Sequence, residues 1–157
     1  MAANTKRRSK PLPKAGHTPR PARDLRDTLI QAAAQARQQA VAPYSRFKVG
    51  AALLTKAGDI ITRANVESAS YGLTCCAERV ALFGALTSGK RDFIAVAVVA
   101  RAPGGPMPCG ACRQLLAEYA PDATVWVADS RTLHAAREFT VAGLLPAAFS
   151  EVPQDSD

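Results

Sequence analysis

Residues 92–129 read DFIAVAVVARAPGGPMPCGACRQLLAEYAPDATVWVAD, and this stretch decides the fold. Its first part, residues 92–100, is a continuous apolar run typical of a strand that is covered on both faces of a sheet. After a loop rich in Pro and Gly, the apolar residues of 112–120 recur at helical spacing, and residues 123–129 return to a strand pattern. Strand, helix and strand in this order predict a right-handed parallel unit.

The segments before this unit add a helix and a hairpin. Residues 23–42 are rich in Ala and Gln with an apolar stripe, which predicts an amphipathic helix that Pro43 ends. Residues 47–55 and 59–67 flank a turn that contains Gly58, and their composition predicts a β-hairpin.

Two further segments complete the predicted fold. Residues 76–90 are apolar nearly all round, which predicts a helix buried against a sheet and ended near Gly89. Residues 137–149 predict a last short strand and an apolar tail. The sequence therefore predicts an α/β protein with three α/β/α layers and a mixed sheet of about five strands.

The charge is concentrated at the amino-terminal end. The protein has 157 residues, enough for one domain, and a formal net charge of +7. Its first 24 residues contain a single acid and hold seven basic residues: Lys6, Arg7, Arg8, Lys10, Lys14, Arg20 and Arg23. We expect residues 1–23 to form a disordered basic arm rich in Pro, 24–150 the folded domain and 151–157 a short tail. The folded part is nearly neutral, which argues against nucleic-acid binding except through the arm.

The four cysteines come in two close pairs, Cys75 with Cys76 and Cys109 with Cys112. The Cys-x-x-Cys pair alone would fit a redox pair, half of a structural zinc site or part of a catalytic metal site. We find no export signal or membrane span in the sequence, so we expect a cytoplasmic protein whose thiols stay reduced. Paired cysteines in a reducing compartment favour a metal site.

Both cysteine pairs stand where a loop becomes a predicted helix. The unpaired N–H groups and the dipole at a helix N-terminus favour the thiolate form of a cysteine there. Three thiolates, those of Cys76, Cys109 and Cys112, can thus converge on one zinc ion. A catalytic zinc has three protein ligands and an open position for water.

No fourth protein ligand is expected. His17 lies in the basic arm, and His134 lies in a distant loop. Cys75 directly precedes Cys76, and adjacent residues seldom reach the same tetrahedral ion, so we expect Cys75 to point into the core.

Glu78 is the candidate general acid and base. Cys-x-Glu followed by Pro-Cys-x-x-Cys matches the signature of the zinc deaminases, in which the Glu is the general acid and base and is not a ligand. A zinc-bound hydroxide attacks an amidine-like carbon, and the carboxylate moves the protons. Three thiolates would leave the zinc site negatively charged, and Arg79 is the candidate to donate hydrogen bonds to their sulfurs.

Four motifs together resemble the small homotetrameric cytidine deaminases. They run from about Pro43 to Phe149 and read PYSRFKVGAALL, NVESASYGLTCCAERVA, MPCGACRQ and LLPAAF. The resemblance implies the cytidine deaminase fold, one Zn²⁺ per chain and a homotetramer. It also implies hydrolysis of cytidine and deoxycytidine to uridine and deoxyuridine, the reaction of pyrimidine salvage.

The resemblance also assigns the site. It implies that Cys76, Cys109 and Cys112 hold zinc and that Glu78 moves protons. For substrate binding it implies Asn65 and Glu67 at the ribose hydroxyls, Phe47 on the pyrimidine ring and Phe149 reaching into a neighbouring subunit's site. The regions of Gln114 and Tyr71 resemble structural or interfacial parts of the family.

Two other functions fit parts of the pattern. A deaminase of the blasticidin S type shares the Cys-Ala-Glu and Pro-Cys-x-x-Cys core, but the NVE and LLPAAF motifs argue against it. A zinc-stabilised nucleic-acid-binding module would have no use for Glu78 beside an open zinc position. The sequence leaves open the preference between cytidine and deoxycytidine.

Overall fold

The computed structural model describes residues 23–149. Four α-helices and five strands follow one another in this part of the chain: α1 (Arg23–Ala36), β1 (Val49–Thr55), β2 (Ile60–Ala64), α2 (Ala77–Thr87), β3 (Phe93–Ala100), α3 (Gly110–Tyr119), β4 (Thr124–Asp129), β5 (Arg137–Thr140) and α4 (Val141–Leu144). The predicted arm, apart from Arg23, and the predicted tail lie outside the described residues. No helix between residues 23 and 149 combines the length and apolarity needed to cross a bilayer.

The five strands form one mixed sheet, as predicted. Their order is β2-β1-β3-β4-β5. Strands β3 and β4 run parallel, so the unit predicted from residues 92–129 is present, and the other neighbouring strands are antiparallel. The predicted hairpin is β1 and β2, and Gly58 in its turn has a φ of 92°, a conformation that favours glycine.

Helices cover both faces of the sheet, so the three-layer prediction is confirmed. Alternate residues of β3 point to opposite faces: Val96 and Val98 pack with α2 and α3, whereas Ala95, Ala97 and Val99 pack with α1. The strand is apolar throughout because both of its faces are buried.

Helix α1 lies unusually close to β1. A Cβ atom on Gly50 would lie 2.0 Å from the backbone oxygen of Ala33, so only glycine fits where the helix crosses the strand. The small side chains on this face of α1 make the close approach possible.

The first helix ends earlier than predicted. The α-helix stops at Ala36 and a 3₁₀ turn runs to Gln39, whereas Pro43 was expected to end it. The reason lies in the next segment: the Val41 N–H donates to the oxygen of Asn65, and the Glu67 N–H donates to the oxygen of Val41. This pairing with the chain after β2 requires an extended backbone, which draws residues 40–42 out of the helix.

Candidate active site

Three cysteine sulfurs meet where two helices begin. Cys76 is the N-cap of α2, Cys109 is the N-cap of α3 and Cys112 lies in the first turn of α3. The Sγ atoms of Cys76 and Cys109 are 3.8 Å apart, those of Cys109 and Cys112 are 3.5 Å apart, and all three lie within 4.8 Å of one another. The structure thus brings together the three predicted ligands from chain segments that are far apart in sequence.

The sulfur spacing fits one tetrahedral zinc ion. Ligand sulfurs about 2.3 Å from zinc lie roughly 3.8 Å from each other in a tetrahedron. Within residues 23–149 this is the one cluster of metal-binding side chains, and it includes neither Cys75 nor His134. The group that could hold the ion therefore consists of the three thiols of Cys76, Cys109 and Cys112.

The three thiols stabilise a thiolate among themselves. Hydrogen bonding from Cys112, supported by Cys109 and by the charge of Arg79, lowers the pKa of Cys76 to about 5 despite the opposing effect of burial. The same hydrogen bond with Cys76, together with burial, raises the pKa of Cys112. The cluster thus holds negative charge on one sulfur that accepts hydrogen bonds from the others, and a bound cation would take the place of those protons.

Arg79 lies beside the sulfurs and has an unused donor. Its Nη2 donates to the backbone oxygen of Thr74 at 2.6 Å, while its buried Nε has no hydrogen-bond partner. Burial opposes the charged form of Arg79, yet its pKa is raised by the neighbouring sulfurs of Cys75 and Cys76. This cation next to the three clustered sulfurs would offset the excess negative charge of a three-thiolate zinc site.

Glu78 is a buried carboxyl group in the same place. It is the second residue of α2, and only 5% of its surface is exposed. Burial raises the pKa of Glu78 to about 7, and the neighbouring Cys76 thiolate adds to the increase. A carboxyl group that gains and loses a proton near neutral pH is suited to general acid and base chemistry.

An open cleft of about 270 Å³ leads to these groups. Cys76, Cys109 and Glu78 line it together with Cys75 and Thr74. Cys75 thus borders the cleft and is only partly buried, whereas the prediction had it pointing into the core. Both residues predicted to bind ribose, Asn65 and Glu67, also line the cleft. The rest of the lining is apolar and consists of Phe47, Val49, Val98, Pro106 and Met107.

Asn65 and Glu67 reach the cleft from just beyond strand β2. The strand ends at Ala64, but a bridge between Val66 and Cys75 continues the extended backbone, so Asn65 and Glu67 still point the same way. The Asn65 side chain accepts from the Val49 N–H at 2.8 Å and donates to the Phe47 oxygen at 3.0 Å. Asn65 therefore also fixes the backbone that carries Phe47.

The two predicted aromatic residues are placed differently. Phe47 lines the cleft and is 44% exposed, whereas Phe149 is 61% exposed and does not line this chain's cleft. The backbone of Phe149 is nevertheless held, because the Gln114 side chain donates to its oxygen at 2.6 Å and accepts from its N–H at 3.3 Å. Gln114 thus has a structural role that the sequence only suggested.

Ser45, which was not predicted as a site residue, contacts two residues that line the cleft. The hydroxyl of Ser45 contacts the Glu67 carboxylate and also accepts from the Phe47 N–H. The available signal was weak: a serine two residues before Phe47, just after Pro43, where serine is common for turn geometry alone.

Comparison with known proteins agrees with this geometry. Residues 24–128 match the family described as the cytidine and deoxycytidylate deaminase zinc-binding region. A cytidine deaminase from Halalkalibacterium halodurans is 53% identical over 126 residues, which cover 80% of this chain and 94% of that protein. The crystal structure of a cytidine deaminase from Burkholderia pseudomallei has a TM-score of 0.74 and 49% identity, and it covers 78% of this chain and 97% of that one.

The blasticidin S type is a more distant relative. A blasticidin-S deaminase from Bacillus cereus is 34% identical over 91 residues, which cover only 53% of this chain and 65% of that protein. The family match spans most of the folded part and includes all three clustered cysteines and Glu78. The chain therefore belongs to the zinc-binding family of cytidine and deoxycytidylate deaminases.

Proposed function

We propose that this protein hydrolyses cytidine and deoxycytidine to uridine and deoxyuridine, as a cytoplasmic enzyme of pyrimidine salvage. One observation carries the proposal: a buried carboxyl group, Glu78, lines the same cleft as Cys76 and Cys109, two members of the cluster of three thiols. A metal site without chemistry would not need an acid whose pKa is raised to about 7 at the edge of an open cleft. The named relatives are cytidine deaminases, which supports the nucleoside as substrate.

Cys76, Cys109 and Cys112 would hold one zinc ion per chain, with Arg79 offsetting their negative charge. When bound, zinc lowers the pKa of a coordinated water so that a nucleophile for the C4 carbon of the base is available at neutral pH. The helix dipoles of α2 and α3 add to the positive potential at this point.

Glu78 moves the protons of the reaction. Its carboxylate takes a proton from the attacking water and delivers it to the ring nitrogen N3, next to the carbon under attack. It takes the second proton of the same water and gives it to the exocyclic amine, which leaves as ammonia. Water and cytidine are thereby converted to uridine and ammonia, and Glu78 returns to its starting state.

The cleft walls would position the nucleoside. Phe47 provides an apolar face for the pyrimidine ring, and Asn65 and Glu67 provide acceptors and a donor for the ribose hydroxyls. Both polar side chains come from the chain after β2, whereas the thiols and Glu78 come from the starts of α2 and α3. This separation suits a ligand with a polar sugar and a reactive base at opposite ends.

Side-by-side assays test this function. We expect the purified protein to convert cytidine and deoxycytidine, measured by the loss of their ultraviolet absorbance. Cytosine should react poorly because it lacks the sugar that Asn65 and Glu67 bind, and so should blasticidin S. Faster turnover of blasticidin S than of cytidine would contradict the proposal.

The ligand set can be tested by replacing Cys75. Since Cys75 is outside the cluster of sulfurs, Cys75→Ala should still bind about one zinc per chain. Cys109→Ala serves as the matched control and should lose the metal. Metal analysis of the two purified variants checks this, and loss of zinc from Cys75→Ala would mean that the site has four thiolates.

We also propose a homotetramer in which the active site is shared between subunits. The backbone of Phe149 is fixed by Gln114, while its ring is largely exposed and outside its own cleft. An aromatic ring held in a defined place but left bare is suited to burial against another chain. Phe149 would then cover the pyrimidine ring in a neighbouring subunit's cleft, opposite Phe47.

The domain division completes the proposal. We assign residues 24–150 to the deaminase domain, residues 1–23 to a basic arm and residues 151–157 to a short tail. The family match begins at residue 24, which supports the first boundary. The arm's charge is the feature most suited to contact with nucleic acid, and the reaction on free nucleosides should not depend on it.

A further inference from the structure

The Glu67 carboxylate is already held by the loop that precedes β1. Its Oε2 accepts from the backbone N–H groups of Tyr44, at 2.9 Å, and Ser45, at 3.1 Å, and its Oε1 accepts from the Ser45 hydroxyl. These donors lower the pKa of Glu67, with the Ser45 side chain as the largest contribution, so the carboxylate is ionised at neutral pH. Three of its roughly four acceptor positions are occupied.

The Ser45 hydroxyl joins two parts of the cleft. A carboxylate can only accept, so the Ser45 hydroxyl must donate its single hydrogen to Glu67. The lone pairs of the same oxygen remain free to accept from the Phe47 N–H, at 2.9 Å. One hydroxyl group thus connects the proposed sugar-binding carboxylate to the backbone of the proposed base-binding ring.

The loop conformation between these residues needs such support. Arg46 has a φ of 60°, which is unfavourable for a residue that is not glycine. The contacts of Ser45 with Glu67 on one side and with Phe47 on the other hold the backbone around Arg46 in this conformation. Loss of the hydroxyl would leave the two backbone N–H donors in place but would release both Oε1 and the Phe47 N–H.

We propose that Ser45 is a positioning residue for substrate binding: it aims the Glu67 carboxylate at the sugar, and its contact with the Phe47 N–H holds its hydroxyl in place to do so. This inference rests on the proposed function. Ser45 acts through Glu67 and takes no part in the chemical step. Its removal should therefore weaken binding of nucleosides that carry sugar hydroxyls more than binding of those that lack them.

The test compares two substrates in each variant. Cytidine and 2′,3′-dideoxycytidine are mixed in one reaction, and the ratio of their kcat/KM values is measured for wild type, Ser45→Ala and Ser45→Thr. Because both substrates compete for the same enzyme molecules, this ratio does not depend on how much of a variant is folded. Ser88→Ala is the matched control: it also removes a serine hydroxyl, but one that contacts only the Gly84 backbone oxygen in α2.

Ser45→Ala should raise the KM for cytidine about tenfold with little change in kcat, the effect of losing one hydrogen bond to a charged group. Its kcat/KM for the dideoxy substrate should change less than about threefold, whereas Ser45→Thr and Ser88→Ala should keep the wild-type ratio. An unchanged ratio in Ser45→Ala would overturn the inference and leave Ser45 a purely structural residue. Absence of cytidine turnover by the wild type would instead refute the proposed function itself, and the role of Ser45 with it.

Discussion

The kcat of Glu78→Gln should be about 10²–10⁴-fold lower than that of the wild type, while the variant keeps its fold and its zinc. Gln has nearly the shape of Glu, so the buried position at the start of α2 can accept it without a cavity. The amide cannot take a proton from water at neutral pH, and therefore both proton transfers lose their carrier. The cysteine ligands are unchanged, so metal binding should persist.

The kinetic measurement needs a control in which the same substitution is made at a glutamate outside the active site. Glu138→Gln is suitable, because Glu138 lies on the edge strand β5, outside the cleft, and accepts from the Trp126 indole through an oxygen that Gln also has. This control should have wild-type kcat. Zinc content and the circular dichroism spectrum are measured for both variants, and a Glu78→Gln enzyme with more than about a tenth of the wild-type rate would disprove the assigned role.

The second large effect is expected from mixing two impaired variants, Phe149→Ala and Glu78→Gln. Phe149→Ala should lose activity about tenfold or more, because one of two aromatic faces around the base is removed. Glu78→Gln should be nearly inactive for a different reason. If subunits share the active site as proposed, an intact Glu78 from one chain can meet an intact Phe149 from the other in a mixed assembly, so activity should return.

The expected gain can be stated. In an equal mixture that assembles at random, roughly a quarter of the sites combine both intact residues. The mixture should therefore have about fivefold more activity than the two separate samples together. The two variants are unfolded together, refolded with zinc and assayed, and a mixture that was never unfolded is the control. Hybrids that form without any gain would show that Phe149 does not act across a subunit boundary.

Much of the fold was predictable because its signals are local. Strand β3 is apolar throughout because it is buried on two faces, and α3 has apolar residues at helical spacing because it is buried on one face. The hairpin follows from strand composition around Gly58. Each of these patterns is specified by residues near one another in sequence, so tertiary contacts did not override them.

The misplaced features depend on distant contacts. The end of α1 is set by the pairing of Val41 with Asn65 and Glu67, and nothing in residues 36–43 indicates that partner. Cys75 was expected in the core as an apolar residue, but the bridge between Val66 and Cys75 fixes its backbone at the cleft. The interaction of Ser45 with Glu67 spans 22 residues and gives no sequence pattern of its own.

The candidate site was more predictable than these details. Metal ligands and proton carriers need particular residue types at fixed spacing, and few unrelated sequences contain Cys-x-Glu with Pro-Cys-x-x-Cys. The sequence could not show the raised pKa of Glu78, because it arises from burial by the surrounding layers. It also could not show how the backbone of Phe149 is fixed, because that depends on a side chain in a different helix.

The cysteine cluster joins segments that are 33 residues apart along the chain. A cation held there closes a long loop in the folded chain and has no equivalent site in the unfolded one, so it acts as a reversible cross-link. The melting temperature of this protein should accordingly rise with the free zinc concentration. A shortage of zinc would then act twice on this protein, by removing the ion that its chemistry needs and by exposing the metal-free chain to unfolding and proteolysis.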